Sequence, residues 1–261
     1  MSFSNSHKLR FYKFDSFPVN QIKQGVFTRH GGVSPHPWKS LNLGGTVGDD
    51  IKNIIENRRL LFDSINLRVD SLFDVWQVHS DIVITVEKAR GLENDPVKAD
   101  AIITNNPQVT LFMRFADCVP VFLYDPVRRV VGMVHAGWEG TVRKIASITV
   151  QAMEEQFECN PQDILAGIGP SICVRHYEIK QDVANQVKMA FGSESSSILK
   201  ENSNKLYFDL WSANELVLQN AGVKQIEVAG ICTACNLEDW YSHREENGIT
   251  GRFGAILALS N

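Results

Sequence analysis

The chain has 261 residues, 44% of them hydrophobic and 21% charged, enough for one large core or two modest ones. A net charge of −4 gives no reason to expect nucleic acid or an acidic membrane as partner. No apolar run approaches the roughly 18 residues that suggest a membrane span, and MSFSNSHKLRFYKF lacks the apolar stretch of a secretion signal, so a cytoplasmic protein with no membrane partner is expected.

His7 falls in an N-terminal stretch expected to fray. TRHGGVSPHPWKSLNLGG, dense in Gly, Pro, Ser and Asn, reads as a long ordered loop, the kind of segment that tends to carry function. DDIKNIIENRRLLFDSI has helical apolar spacing, with Asp49 and Asp50 near its start. VWQVHSDIVITVE turns to strand alternation. ADAIIT, VTLFMRF, VPVFLYD and VVGMV follow as β-rich runs, the last two lying side by side. A helix is expected over about Thr141–Phe157, a buried strand in DILAGIGPSI and a helix at about Gln181–Phe191. KLYFDL reads as a strand, WSANELVLQNAG as a helix closed by Gly222, and KQIEVAGI as a last strand. There is no internal repeat and no linker. This order predicts one mixed α/β domain spanning 1–261, with helices covering the sheets.

The cysteines are Cys118, Cys159, Cys173, Cys232 and Cys235; an odd count without a secretion signal argues against a disulfide framework. His79 ends WQVH, Cys118 stands at the mouth of VPVFLYD, and His135 closes VVGMV, so each is expected at a strand end. Two imidazoles and a thiolate suit zinc and leave a fourth position for water. The same residues also suit a Cys118 nucleophile with His135 as base and Asp100 or Asp117 as orienter. The ordinary alternative is two satisfied histidines and a core thiol.

QVH, ADC-x-P and HAGW, in that order, resemble the bacterial YfiH or laccase-domain proteins, also called purine nucleoside phosphorylases of that type. The resemblance extends over TRHGGVS, SLNLG, ENRR, ADAIIT, GIGPSI, FDLW-x-AN, the cysteine of ICT, and YSHREENGITGR. It implies an α/β fold of layered β-sheets flanked by helices. It implies a mononuclear zinc held by His79, Cys118 and His135. It also implies phosphorolysis of adenosine, inosine and S-methyl-5'-thioadenosine, with some adenosine deamination.

The expected catalytic set is then Cys118, His135, His79 and Asp100, with Asp100 a carboxylate partner for a metal-bound histidine. Arg29, Asn42, Arg58, His243 and Arg244 are the expected substrate-binding residues, with Arg29 and Arg58 the candidates for phosphate. The partners are a small purine nucleoside and phosphate, and the protein is expected to be a monomer. Copper polyphenol oxidation, the family's older label, fits less well: a blue-copper site usually adds an axial ligand, and multicopper chemistry needs more than seven histidines. A cysteine hydrolase or peptidoglycan-editing factor using Cys118, and a non-catalytic zinc protein, are the rival readings.

Two positions depart from the family pattern. Glu139 follows HAGW where a basic residue is usual, and reads as a solvated first-turn acid. Cys232-Thr-Ala-Cys235 has CxxC spacing, which a redox pair would use, but the pattern supports only Cys232, so both read as ordinary buried thiols. His36 and His176 read as surface residues, and Trp138 as a core aromatic.

Overall fold

A computed structural model describes residues 2–6, 9–90 and 94–260, so His7 lies outside the described residues. The chain begins with antiparallel strands β1 (Ser2–Ser6), β2 (Leu9–Lys13) and β3 (Ile22–Phe27). The Gly- and Pro-rich loop follows, without regular structure, and leads into α1 (Ile51–Ser64), where the Asp50 side chain accepts from Lys52 N. Next come β4 (Leu72–Phe73), β5 (Val83–Thr85), β6 (Ala101–Thr104), β7 (Thr110–Phe115), β8 (Val119–Asp125) and β9 (Val130–Ala136). Helices α2 (Trp138–Val142) and α3 (Ile145–Phe157) precede β10 (Leu165–Ile168), β11 (Glu178–Ile179), α4 (Gln181–Phe191) and α5 (Ser195–Ile198). The last elements are β12 (Leu199–Asn202), β13 (Lys205–Phe208), α6 (Leu210–Asn220), β14 (Gln225–Val228) and β15 (Phe253–Leu259).

Two six-stranded sheets carry the fold, ordered β1-β2-β3-β15-β7-β4 and β14-β10-β8-β9-β6-β5. They pack face to face through Tyr12, Val26, Met113 and Phe115 of the first against Ile102, Phe122, Tyr124 and Met133 of the second. The outer face of the second sheet is covered by α3, α4 and α6 through Ile103, Val121, Val150, Met153, Val187 and Val217. The outer face of the first is covered by α1 through Phe27, Leu61, Phe62, Phe112 and Ile256. The layers are thus helix, sheet, sheet, helix, as expected for layered sheets flanked by helices. Every residue of β8, β9 and β15 is buried, which is why these strands are continuous apolar runs rather than alternating ones. Among the described residues, no helix is long and apolar enough to cross a membrane.

Two expected elements differ. The helix expected over 141–157 is broken, because Lys144 takes a left-handed conformation (φ 60°) between α2 and α3. The strand expected in VWQVHSDIVITVE is reduced to an isolated bridge at Trp76 and the three residues of β5. The reason is local: the N–H groups of Val78 and Ser80 bond to the buried Asp100 carboxylate instead of to a neighbouring strand.

Candidate metal centre and active site

β8 and β9 lie side by side and antiparallel, with Pro120 opposite His135 and Val119 opposite Ala136. Cys118, one residue before β8, therefore arrives beside the turn that follows His135. His79 does not sit at a strand end; it lies on a bend with φ 60°. The three side chains nevertheless converge. One donor atom from each of His79, Cys118 and His135 lies within 4.8 Å of the others, and His79 Nε2 stands 3.9 Å from Cys118 Sγ. The His79 and His135 rings meet edge to face at 5.0 Å. Gly137 makes room for them, since a Cβ there would fall 2.9 Å from the His79 ring and 3.1 Å from Cys118 Sγ.

Asp100 organises this cluster. It is fully buried, and Oδ1 accepts from His135 Nδ1 at 2.8 Å. Oδ2 accepts from Ser80 N at 2.6 Å, Ser80 Oγ at 2.7 Å and Val78 N at 3.2 Å, which fixes the bend carrying His79. Burial alone would raise the Asp100 pKa, but the bonds with His135 and Ser80 prevail and hold it down at about 2. Burial lowers His135 and outweighs the pull of Asp100, so the imidazole is neutral at neutral pH. With Nδ1–H given to Asp100, His135 Nε2 is left as the donor. This is the carboxylate–histidine arrangement that orients metal ligands.

A metal ion fits this donor set: two imidazoles, one thiol, a carboxylate behind one ring, and a glycine where a side chain would close the space. The thiol is not an activated nucleophile on its own. Burial, then the charge of Asp117, push Cys118 up to about 12, and Arg252 opposes them only in part. Asp117 sits at φ 82° and is held by Thr233 Oγ1 at 2.7 Å and by the backbone N–H of Arg244 at 2.7 Å. Its carbonyl accepts from Ile172 N at 3.0 Å, so two C-terminal segments fix the residue preceding Cys118.

The substrate-binding candidates divide. His243 keeps much of its surface exposed and lies in the field of the site: its partial burial, then Arg252, lower its pKa, and His79 and Asp117 also act on it. Arg244 lies over the Tyr177 ring at 5.0 Å and donates to the carbonyls of His176 and Glu178. Arg58 is half-buried with Arg90 and Arg114 about one carboxylate, Asp74, and its Nε has no hydrogen-bond partner among the described residues.

Arg29 is a structural tie rather than a free anion donor. Its guanidinium donates to the carbonyls of Lys39, Leu237 and Trp240, pairs with Glu246 at 3.2 Å, and stacks on Tyr241. Asn42 is fully buried, and its amide bonds with Gly44, Asp49 and the Arg252 N–H, so it shapes the loop from within. Glu139 forms an i, i+4 pair with Arg143, as expected of a solvated acid, and Trp138 packs against the helical side of the core. Cys159 is a buried thiol just past the end of α3.

Sequence reading missed Arg252 and Tyr177. Arg252 is the positive charge that most favours the Cys118 thiolate, and it donates to the carbonyls of Thr250 and Gly251. It was legible as the final residue of YSHREENGITGR. Tyr177, whose pKa burial raises, shares the field of Cys118 and Asp117. A cavity of about 520 Å³ lies against Arg29, His30, His36, Lys39 and Glu246, but none of the three donors lines it. The donors, not that hollow, mark the chemistry.

The family model for the multi-copper polyphenol oxidoreductase laccase proteins matches residues 23–260. The chain belongs to this family. Within the laccase-domain family it is 36% identical over 247 residues to a Bacillus subtilis protein named purine nucleoside phosphorylase YlmD, covering 92% of this chain and 89% of that one. A Deinococcus radiodurans protein named purine nucleoside phosphorylase is 37% identical over 242 residues, covering 93% of this chain and 91% of that one. The crystal structure of YlmD from Geobacillus stearothermophilus superimposes with a TM-score of 0.93 at 32% identity, covering 99% of this chain and 98% of that one. These relatives support an enzyme of the purine nucleoside phosphorylase kind, and the laccase-domain fold expected from the motifs is the fold observed.

Proposed function

We propose that the protein is a cytoplasmic, monomeric, zinc-dependent purine nucleoside phosphorylase acting on adenosine, inosine and S-methyl-5'-thioadenosine, with adenosine deamination as a side activity. The observation that carries this reading is the convergence of His79, Cys118 and His135 in front of Asp100. When bound by these three ligands, zinc supplies Lewis acidity and an open coordination position.

The protein's own residues do the rest. Asp100 holds His135 in one tautomer and ties down the His79 bend. Phosphorolysis needs positive charge for phosphate, and in a chain that is acidic overall that charge must be local. Arg252 and Arg244 gather it on the C-terminal side of the cluster, where His243, its pKa lowered, is a neutral hydrogen-bonding neighbour, and Arg58, beside Asp74, is the further candidate for phosphate. Half-buried Tyr177 gives the purine and ribose a partly apolar surface.

A Cys118 hydrolase is disfavoured by a thiol held near 12. Multicopper oxidation is disfavoured because the seven histidines of the chain are too few for several copper centres. The test is base release from adenosine and inosine with and without phosphate, on protein loaded with zinc and on protein stripped of it. Phosphate-dependent release by the zinc form supports the reading. Turnover of an amide by stripped protein, or of a phenol by the copper form alone, would replace it.

A further inference from the structure

Cys173, His176, Cys232 and Cys235 come from two segments far apart in sequence and are not part of the donor set described above. Each segment contributes a pair with two residues between its members, Cys173-Val-Arg-His176 and Cys232-Thr-Ala-Cys235. The segments are laid together by a parallel bridge between Ser171 and Cys232. One donor atom from each of the four residues lies within 4.8 Å of the others. His176 is therefore not an idle surface residue, and Cys235 has neighbours that sequence reading did not foresee.

We propose that these four residues bind a second metal ion, zinc, in a closed tetrahedral site of three sulfurs and one nitrogen.

The spacing of the donors carries the proposal. Zinc bonds of about 2.0–2.3 Å in a tetrahedron place nitrogen and sulfur ligands about 3.5–3.8 Å apart. His176 Nδ1 lies 3.6 Å from Cys173 Sγ, 3.5 Å from Cys235 Sγ and 3.9 Å from Cys232 Sγ. One nitrogen nearly equidistant from three sulfurs, all four atoms lying within 4.8 Å of one another, fits the edges of a ligand tetrahedron. A disulfide between any two of these cysteines would have no use for the histidine.

The surroundings fit as well. Cys232 Sγ accepts from Cys173 N–H at 3.2 Å, the Arg175 guanidinium donates to Cys235 Sγ at 3.6 Å, and the other ring nitrogen of His176 faces Glu245 at 3.9 Å. A positive charge and a backbone donor suit three thiolates around one divalent ion. Four protein ligands leave no open position, so this site is structural. It would clamp together the two segments whose Ile172 and Thr233 hold Asp117 beside Cys118.

The experiment is metal counting and cobalt(II) spectroscopy on the full chain, kept reduced. The unaltered protein is expected to hold about two zinc ions and Cys118→Ala about one. Cys235→Ser, at an exposed position, and His176→Ala are also expected to hold about one. In the cobalt form, an intense thiolate charge-transfer band should survive in Cys118→Ala and fall several-fold in Cys235→Ser. The cobalt readout needs no turnover, so it is independent of the enzyme reading. A reduced, unaltered protein that saturates at one ion, with the band abolished by Cys118→Ala, would overturn the second site. Two ions in Cys235→Ser with an unchanged band would overturn it too.

Discussion

Asp100 is the residue on which most of the His79, Cys118 and His135 cluster depends. Replacing it with Asn keeps the shape but removes the charge behind His135 and one acceptor for the Ser80 donors. Zinc affinity in Asp100→Asn is expected to fall about ten- to hundred-fold, read by competition with a chromophoric chelator. The same pair predicts how the metal-free protein responds to acid. Both pKa values are lower in the folded state than the ordinary 3.8 of Asp100 and 6.5 of His135. The unfolded chain therefore binds more protons through both titrations, and stability rises with pH. The His135 contribution is complete above pH 6.5 and is lost as pH falls through its lower folded value; that of Asp100 is complete above 3.8 and is lost toward about 2. Melting of metal-free protein between pH 8 and 2 should show this fall, and His135→Gln should remove its upper limb. A flat profile would contradict the assignment.

The two arginines chosen from sequence separate at this same scale. Arg29→Ala leaves three backbone carbonyls and Glu246 without their partner, so a loss of about 2–3 kcal/mol in stability is expected, with phosphorolysis and deamination falling together. Arg58→Ala should slow phosphorolysis at limiting phosphate by about ten- to hundred-fold and spare deamination. Equal loss of both activities in Arg58→Ala would make Arg58 structural as well. His79, Cys118, His135 and Asp100 were legible because each stands next to an apolar run or a short motif. Arg252 was legible only as the end of a motif, without its role beside Cys118, and the partners of His176 were not legible, because no periodicity connects residues that only a folded chain brings together.

Among the elements, α1 does more than cover a sheet. Its buried Asn57 accepts from Val33 N–H at 2.8 Å and donates to Ser34 Oγ and to the carbonyl of Asn42, both at 2.8 Å. These bonds hold the Gly-rich loop closed on the helix. Gly32 shares the junction, and a Cβ there would meet the Ser40 carbonyl at 2.3 Å. Asn57→Ala should therefore cost about 2–4 kcal/mol, leaving buried donors and acceptors unpaired, and should expose residues 28–50 to protease and hydrogen exchange. Protection unchanged in that loop would show that it is held elsewhere. The loop, α1, α4, α6 and the buried mid-chain strands were readable from composition and apolar spacing. The break at Lys144 and the loss of strand around His79 were not, since both follow from contacts made across the fold.

At the scale of the molecule, the two-sheet sandwich could be anticipated as a class from alternating helices and buried strands. Strand order could not, because nothing in a local pattern says that β15 inserts between β3 and β7. That insertion has a temporal consequence. A chain is made in one direction, and until residue 259 exists the first sheet is two separate pieces, β1-β2-β3 and β7-β4, with open edges facing each other. Arg252, one residue before β15, cannot take its place beside Cys118 before then. A chain still growing therefore holds His79, Cys118 and His135 but neither a finished first sheet nor Arg252 in place, so the site is completed only when the strand that joins the two pieces arrives.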